Sequence, residues 1–113
     1  MDINALQKEL RSFSALRGWG RHHNPKSLVM ALSVEVAELM EHFQWLSEAE
    51  SFQPAELDGV QEEIADVLIY LLQLSDRLGI DVNEAVTKKM YLNTLKYPEQ
   101  REELIVRCLE RVE

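Results

Sequence analysis

The sequence predicts an all-α fold, a four-helix bundle followed by a short C-terminal helix, on two observations. Apolar residues recur at spacings of three and four over four separate segments, which is the period of a helix with one buried face. Helix-start and helix-stop residues fall between those segments, so the segments are distinct helices joined by short connections. The 113 residues contain no linker-like stretch, no internal repeat at solenoid periods and no low-complexity segment, and we read residues 1–113 as a single domain.

The first helix, from about Ile3 to Leu16, carries Ile3, Leu6, Leu10, Phe13 and Leu16 as its stripe. Gly18 and Gly20 break it around Trp19, and the segment RGWGRHHNPKS reads as an ordered loop. Asn24 and Pro25 start the second helix, since asparagine caps free amides and proline fits the first helical turn. That helix is expected to reach about Trp45, with Leu28, Leu32, Leu39, Phe43 and Leu46 facing inward, and Ser47 to Gln53 form a short connection. The third helix runs from about Ala55 to Leu78 and stops at Gly79, a residue at ease in the left-handed conformation that ends helices. Six of the eight residues from Val67 to Leu74 are aliphatic, so this helix needs cover on more than one side, in a bundle centre or at a subunit contact. Asp81 or Asn83 caps a fourth helix that reaches about Leu95, and Glu99 to Val112 read as a short amphipathic helix.

Composition narrows the function classes. Hydrophobic residues make up 46% of the chain and charged residues 28%, a globular balance rather than a disordered one. A net charge of -8 argues against nucleic-acid polymers and anionic membranes as partners. The longest apolar run, VLIYLL, is about a third of the roughly 18 residues a membrane span requires. The start MDINALQKEL lacks the features of a secretory signal, and a lone Cys108 excludes an internal disulfide, so a cytoplasmic protein is expected.

Two helices carry matching acidic pairs, Glu35 and Glu38 in EVAE and Glu63 and Asp66 in EIAD. A spacing of three puts both carboxylates of a pair on one helix face, one turn apart, within reach of a common ion. Glu35 falls in line with Leu28, Leu32 and Leu39, and Asp66 is surrounded by Ala65, Val67, Ile69 and Tyr70. A carboxylate in such surroundings costs several kcal/mol or is neutralised, and a shared cation removes that penalty. A single E-x-x-E is ordinarily a solvated surface pair; two pairs on consecutive helices point to a metal site. Oxygen ligands favour magnesium, with manganese as a substitute, over zinc. The E-x-x-H of a di-iron bundle and the H-E-x-x-H of a zinc protease are both missing. Glu41 and Glu62 stand beside the pairs, either as solvated acids or as assisting groups.

Trp19, His23, Trp45 and Tyr70 are candidates to frame a flat ligand such as a nucleobase, against the plainer reading of Trp45 and Tyr70 as core. Asn93, Lys96 and Tyr97 close the fourth helix with an amide, a cation and a phenol, suited to phosphate oxygens or, for the lysine, to the helix dipole.

Four blocks in order, GWGRHHNPKSL, ALSVEVAELMEHFQW, QEEIADVLIYLLQL and KMYLNTLKYP, resemble the all-α nucleoside triphosphate pyrophosphohydrolases of the MazG-like superfamily, particularly the dCTP pyrophosphatase branch. The resemblance implies that Glu35, Glu38, Glu63 and Asp66 are magnesium ligands, that Trp19, His23, Trp45 and Tyr70 surround base and sugar, and that Asn93 and Lys96 contact phosphate. It implies cleavage of a nucleoside triphosphate between the α and β phosphates, and a homodimer or homotetramer with sites built at subunit contacts. Leu10 departs from the pattern, standing where some dCTP-cleaving relatives have a polar base-contacting residue, so the preferred base stays open with cytosine leading. The alternative to an enzyme is a non-catalytic helical interaction module whose apolar faces only join subunits or a partner.

Overall fold

A computed structural model describes residues 1–99 of the chain. Among them are four α-helices and two short 3-10 turns, with no strand: α1 (Ile3–Leu16), α2 (Pro25–Glu41), α3 (Leu57–Arg77) and α4 (Val82–Lys96). The expected C-terminal helix lies outside the described residues except for Glu99. The chain divides into two compact units, residues 1–82 and residues 83–113, and each is described by itself.

In the first unit α2 lies along α3, and α1 packs on α3 as well. Leu28 of α2 and Leu72 of α3, each 1% exposed, anchor this core. Full burial of one such leucine contributes about 1.5–3 kcal/mol. Val60, near the start of α3, completes the set of fully buried apolar side chains among the described residues.

The capping chemistry acts as the sequence predicts. Asn24 Oδ1 accepts from the Ser27 amide at 2.9 Å, with Pro25 at the first helical position. Gly79 has φ 67°, and the Ile80 and Gly79 amides donate back to Ser75 and Asp76 carbonyls, closing α3 with a Schellman motif. The connection between α2 and α3 is also ordered: Ser47 and Glu50 bond each other's backbone amides reciprocally, as in a capping box.

Two expectations change. The second helix stops at Glu41 rather than near Trp45, because the Phe43 amide turns back to Met40 and the Leu46 amide to Phe43 in tight three-residue bonds. The inward face of α1 is mixed: Gln7 and Ser14 are buried and Ile3, Leu6 and Leu10 half-buried, while Phe13 is 46% and Leu16 85% exposed. Gln7 Nε2 donates to the Leu72 carbonyl at 3.0 Å across the α1–α3 contact, which satisfies the buried amide and fixes the rotation of α1. Apolar periodicity cannot register a contact line made by a glutamine and a serine. The start of α3 shifts by two residues, to Leu57.

In the second unit, α4 ends as expected near Tyr97, whose amide donates to the Asn93 carbonyl at 2.7 Å. No helix among the described residues is long and apolar enough to cross a membrane.

Candidate active site

The acids of α2 and α3 meet where these two helices pack. One carboxylate oxygen each from Glu35, Glu63 and Asp66 lie within 4.8 Å of one another. Glu35 Oε2 and Glu63 Oε2 are shut off from solvent and accept no hydrogen bond from a protein donor. Carboxylates crowded in this way cannot all stay ionised. The Glu35 pKa is accordingly pushed up to about 7, first by the Glu63 side chain beside it, then by burial, then by Glu38. Glu38 is thus beside Glu35 without belonging to the three-oxygen group. Oxygen-only ligands, two of them with a buried oxygen that accepts from no protein donor, fit a hard divalent cation, which would take the place of the proton on Glu35.

A cavity of about 330 Å³ opens beside the acids, lined by Leu10 and Phe13 of α1, Trp19 and His23 of the loop, Glu35 of α2, and Asp66, Ile69, Tyr70 and Gln73 of α3. Five residues singled out in the sequence therefore share one cavity: Trp19, His23, Glu35, Asp66 and Tyr70. Three α3 positions after Asp66, namely Ile69, Tyr70 and Gln73, follow it at spacings of three, four and seven, so one face of the helix forms the wall.

Trp19 reaches this cavity by the way α1 ends. Gly18, at φ 68°, is the left-handed residue of a second Schellman motif, in which the Gly18 amide donates to Ala15 and the Trp19 amide to Ser14. That motif brings the residue after the glycine back onto the last turn of the helix. Trp19 meets Phe13 there, edge to face at 5.7 Å between ring centres, and the Arg17 guanidinium lies 3.5 Å from the centre of the Phe13 ring.

The rest of the loop is tied to α3 by Arg77, whose Nη2 donates to the Gly20 carbonyl at 2.7 Å. Burial lowers the His23 pKa, and the nearby Arg77 and His22 lower it further, so the imidazole facing the cavity is neutral and offers one donor and one acceptor. Replacing Arg77 with Met is expected to raise the His23 pKa toward its ordinary value and to quicken amide exchange at residues 18–23. An NMR titration of His23 checks this; an unmoved pKa would mean that Arg77 neither holds the loop nor acts on the ring.

Not every candidate arrives. Trp45 stands in the turn after α2, 87% exposed, and does not line the cavity. Asn93 and Lys96 lie three residues apart at the end of α4, in the second unit. Leu10, at the position the resemblance relates to base contact, lines the cavity; Phe13, Ile69 and Gln73 line it without having been singled out as ligand contacts, and Arg77 anchors its loop. The helical spacing from Asp66 could have found Ile69 and Gln73; the Arg77 bond spans 57 residues of sequence and leaves no local signal.

A model of the MazG-like family matches residues 30–106, which include all four acids and Tyr70. The chain belongs to the MazG-like family. Over 101 residues it is 46% identical to dCTP pyrophosphatase 1 of Rattus norvegicus and 43% identical to that of Homo sapiens, in each case 86% of this chain and 58% of the relative. This MazG-like chain thus spans little more than half the length of those curated relatives. A crystal structure of a pyrophosphatase from Archaeoglobus fulgidus superposes with a TM-score of 0.82 at 48% identity, covering 88% of this chain and 94% of that one.

Proposed function

We propose that this chain is a magnesium-dependent nucleoside triphosphate pyrophosphohydrolase that cleaves between the α and β phosphates, with dCTP or a modified dCTP as its substrate. The observation that carries the reading is the group of three carboxylate oxygens, from Glu35, Glu63 and Asp66, within 4.8 Å of one another at the edge of a ring-lined cavity. The names of the relatives, dCTP pyrophosphatase 1 and a pyrophosphatase, support the same reaction.

Glu35, Glu63 and Asp66 hold the cation, with Glu38 as a fourth ligand or as the base that takes a proton from the attacking water. Bound there, magnesium or manganese supplies Lewis acidity toward the phosphate oxygens, which offsets the repulsion between a polyanionic substrate and an acidic protein. Trp19 and Tyr70 flank the base and sugar, and such stacking contributes on the order of 1–3 kcal/mol per base. His23, neutral, offers a hydrogen bond without adding charge. Asn93 and Lys96, one turn apart on one face of α4, hold phosphate oxygens.

The protein acts as a homodimer or homotetramer. Large apolar side chains are exposed across the described helices and turns, among them Leu16, Trp45 and Phe52, more than a chain working alone would leave to water. Trp45 reaches a base only from a second copy, in accord with its exposure here.

Incubation with a panel of ribo- and deoxyribonucleoside triphosphates, with magnesium and with EDTA, tests reaction and substrate together. Monophosphate and pyrophosphate are the expected products, fastest from dCTP and only with the metal; orthophosphate or no product would rule the reading out.

A further inference from the structure

Gln73 lines the same cavity as Asp66, two turns further along α3, and its amide is half satisfied. Nε2 donates to Ser14 Oγ at 3.3 Å, while Oε1 is shut off from solvent and has no hydrogen-bond partner. A buried amide oxygen without a donor is rare in native proteins and calls for an explanation. Leu10, His23 and Gln73 also line a second cavity of about 270 Å³, so the glutamine side chain stands in the wall between two cavities.

Its position along α3 sets what it would meet. Asp66 and Gln73 are seven residues apart on one face, a rise of roughly 10 Å along the helix axis. That is about the span of a nucleoside from its 5′ phosphate to the outer edge of its base. With the phosphates at the acids and the rings of Trp19 and Tyr70 between, the base edge falls at Gln73.

We propose that Gln73 is the base-reading residue of this site, its Oε1 accepting a hydrogen bond from the exocyclic amino group of cytosine. The inference rests on the nucleotide reading above and adds the residue that selects the base. In the observed arrangement Ser14 Oγ accepts from Nε2, so the free end of the amide is the oxygen, which matches the amino group of cytosine and opposes the carbonyl of uracil. The aliphatic Leu10 beside it offers no polar group, so the reading falls to the glutamine.

The test compares kcat/KM for dCTP and dUTP in the wild type, in Gln73→Leu and in Ser14→Ala, together with tryptophan-fluorescence titrations using dCMP and dUMP. Gln73→Leu is expected to lower the dCTP-to-dUTP ratio about tenfold, the scale of one hydrogen bond lost at a desolvated site. Ser14→Ala lowers the same ratio by freeing the amide to turn, and serves if the leucine variant folds poorly. An unchanged ratio in a folded, active variant, or a wild-type preference for dUTP, overturns the assignment and leaves the reaction standing. If the wild type hydrolyses neither triphosphate but Gln73→Leu still loses its preference for dCMP over dUMP, the reaction is wrong and the base contact holds. Equal binding of dCMP and dUMP by the wild type overturns the contact whatever the reaction.

Discussion

Glu35→Gln is expected to remove pyrophosphate release and, at the same time, to stabilise the metal-free protein. Both effects follow from one arrangement. Three carboxylate oxygens crowd within 4.8 Å, and the Glu35 pKa stands at about 7 because Glu63, burial and Glu38 all disfavour its charge. A glutamine keeps the shape but cannot ionise, so it relieves the repulsion and can donate its amide hydrogens to Glu63. At about pH 8 in EDTA solvent screening holds the gain to the order of 1 kcal/mol, which raises the melting temperature by roughly 4–8 °C for a domain of this size. The same substitution removes a ligand oxygen, and turnover should fall by roughly 10²–10³, the range for deleting one group that organises charge in a transition state. Glu63→Gln and Asp66→Asn should lose activity similarly. A site that gains stability when its function is removed is one held under electrostatic strain for that function. Near wild-type turnover in all three variants would remove the acids from the chemistry; a lower melting temperature for Glu35→Gln would show that the carboxylates are not in conflict.

The sequence makes legible what local chemistry decides. Asn24 and Pro25 mark the start of α2, and Gly79 the stop of α3, because caps and left-handed residues act within one turn. The two acidic pairs are legible for the same reason: a spacing of three shares a helix face whatever the tertiary context. That Glu35, Glu63 and Asp66 meet also follows from packing apolar stripes of consecutive helices, since each acid lies in or beside its stripe. Less legible is any contact that joins distant segments through polar groups. The α1–α3 contact is made by Gln7 on the Leu72 carbonyl and by Ser14 with Gln73, and a hydropathy pattern reads such residues as solvated. The loop carrying Trp19 and His23 is fixed by a Schellman turn and by Arg77, one half local and one half not. Trp45 shows the other limit: two tight turns after Glu41 change where the chain points, and no periodicity foretells them.

The response to pH should reverse when magnesium is added. In EDTA, Glu35 has its pKa raised from an ordinary 4.5 to about 7. Below 4.5 the carboxyl is protonated in the folded and the unfolded chain, and it contributes nothing to the pH dependence. Between these values the folded state holds a proton that the unfolded state has released, so this group makes stability fall as pH rises, until the loss is complete above about 7. A cation needs the ionised carboxylates and displaces that proton on binding, so its affinity grows over the same interval. At a magnesium concentration of about 100 times the dissociation constant, the native state gains about 2.7 kcal/mol, enough to outweigh the electrostatic cost. Melting temperatures measured from about pH 5 to pH 8 should therefore drift down in EDTA and climb in magnesium, the two curves separating as pH increases. Glu35→Gln supplies the control, because it removes the titrating group and should flatten the EDTA curve. Parallel curves with and without the ion would mean that no cation replaces the proton on Glu35, and the three acids would then be a crowded surface rather than a metal centre.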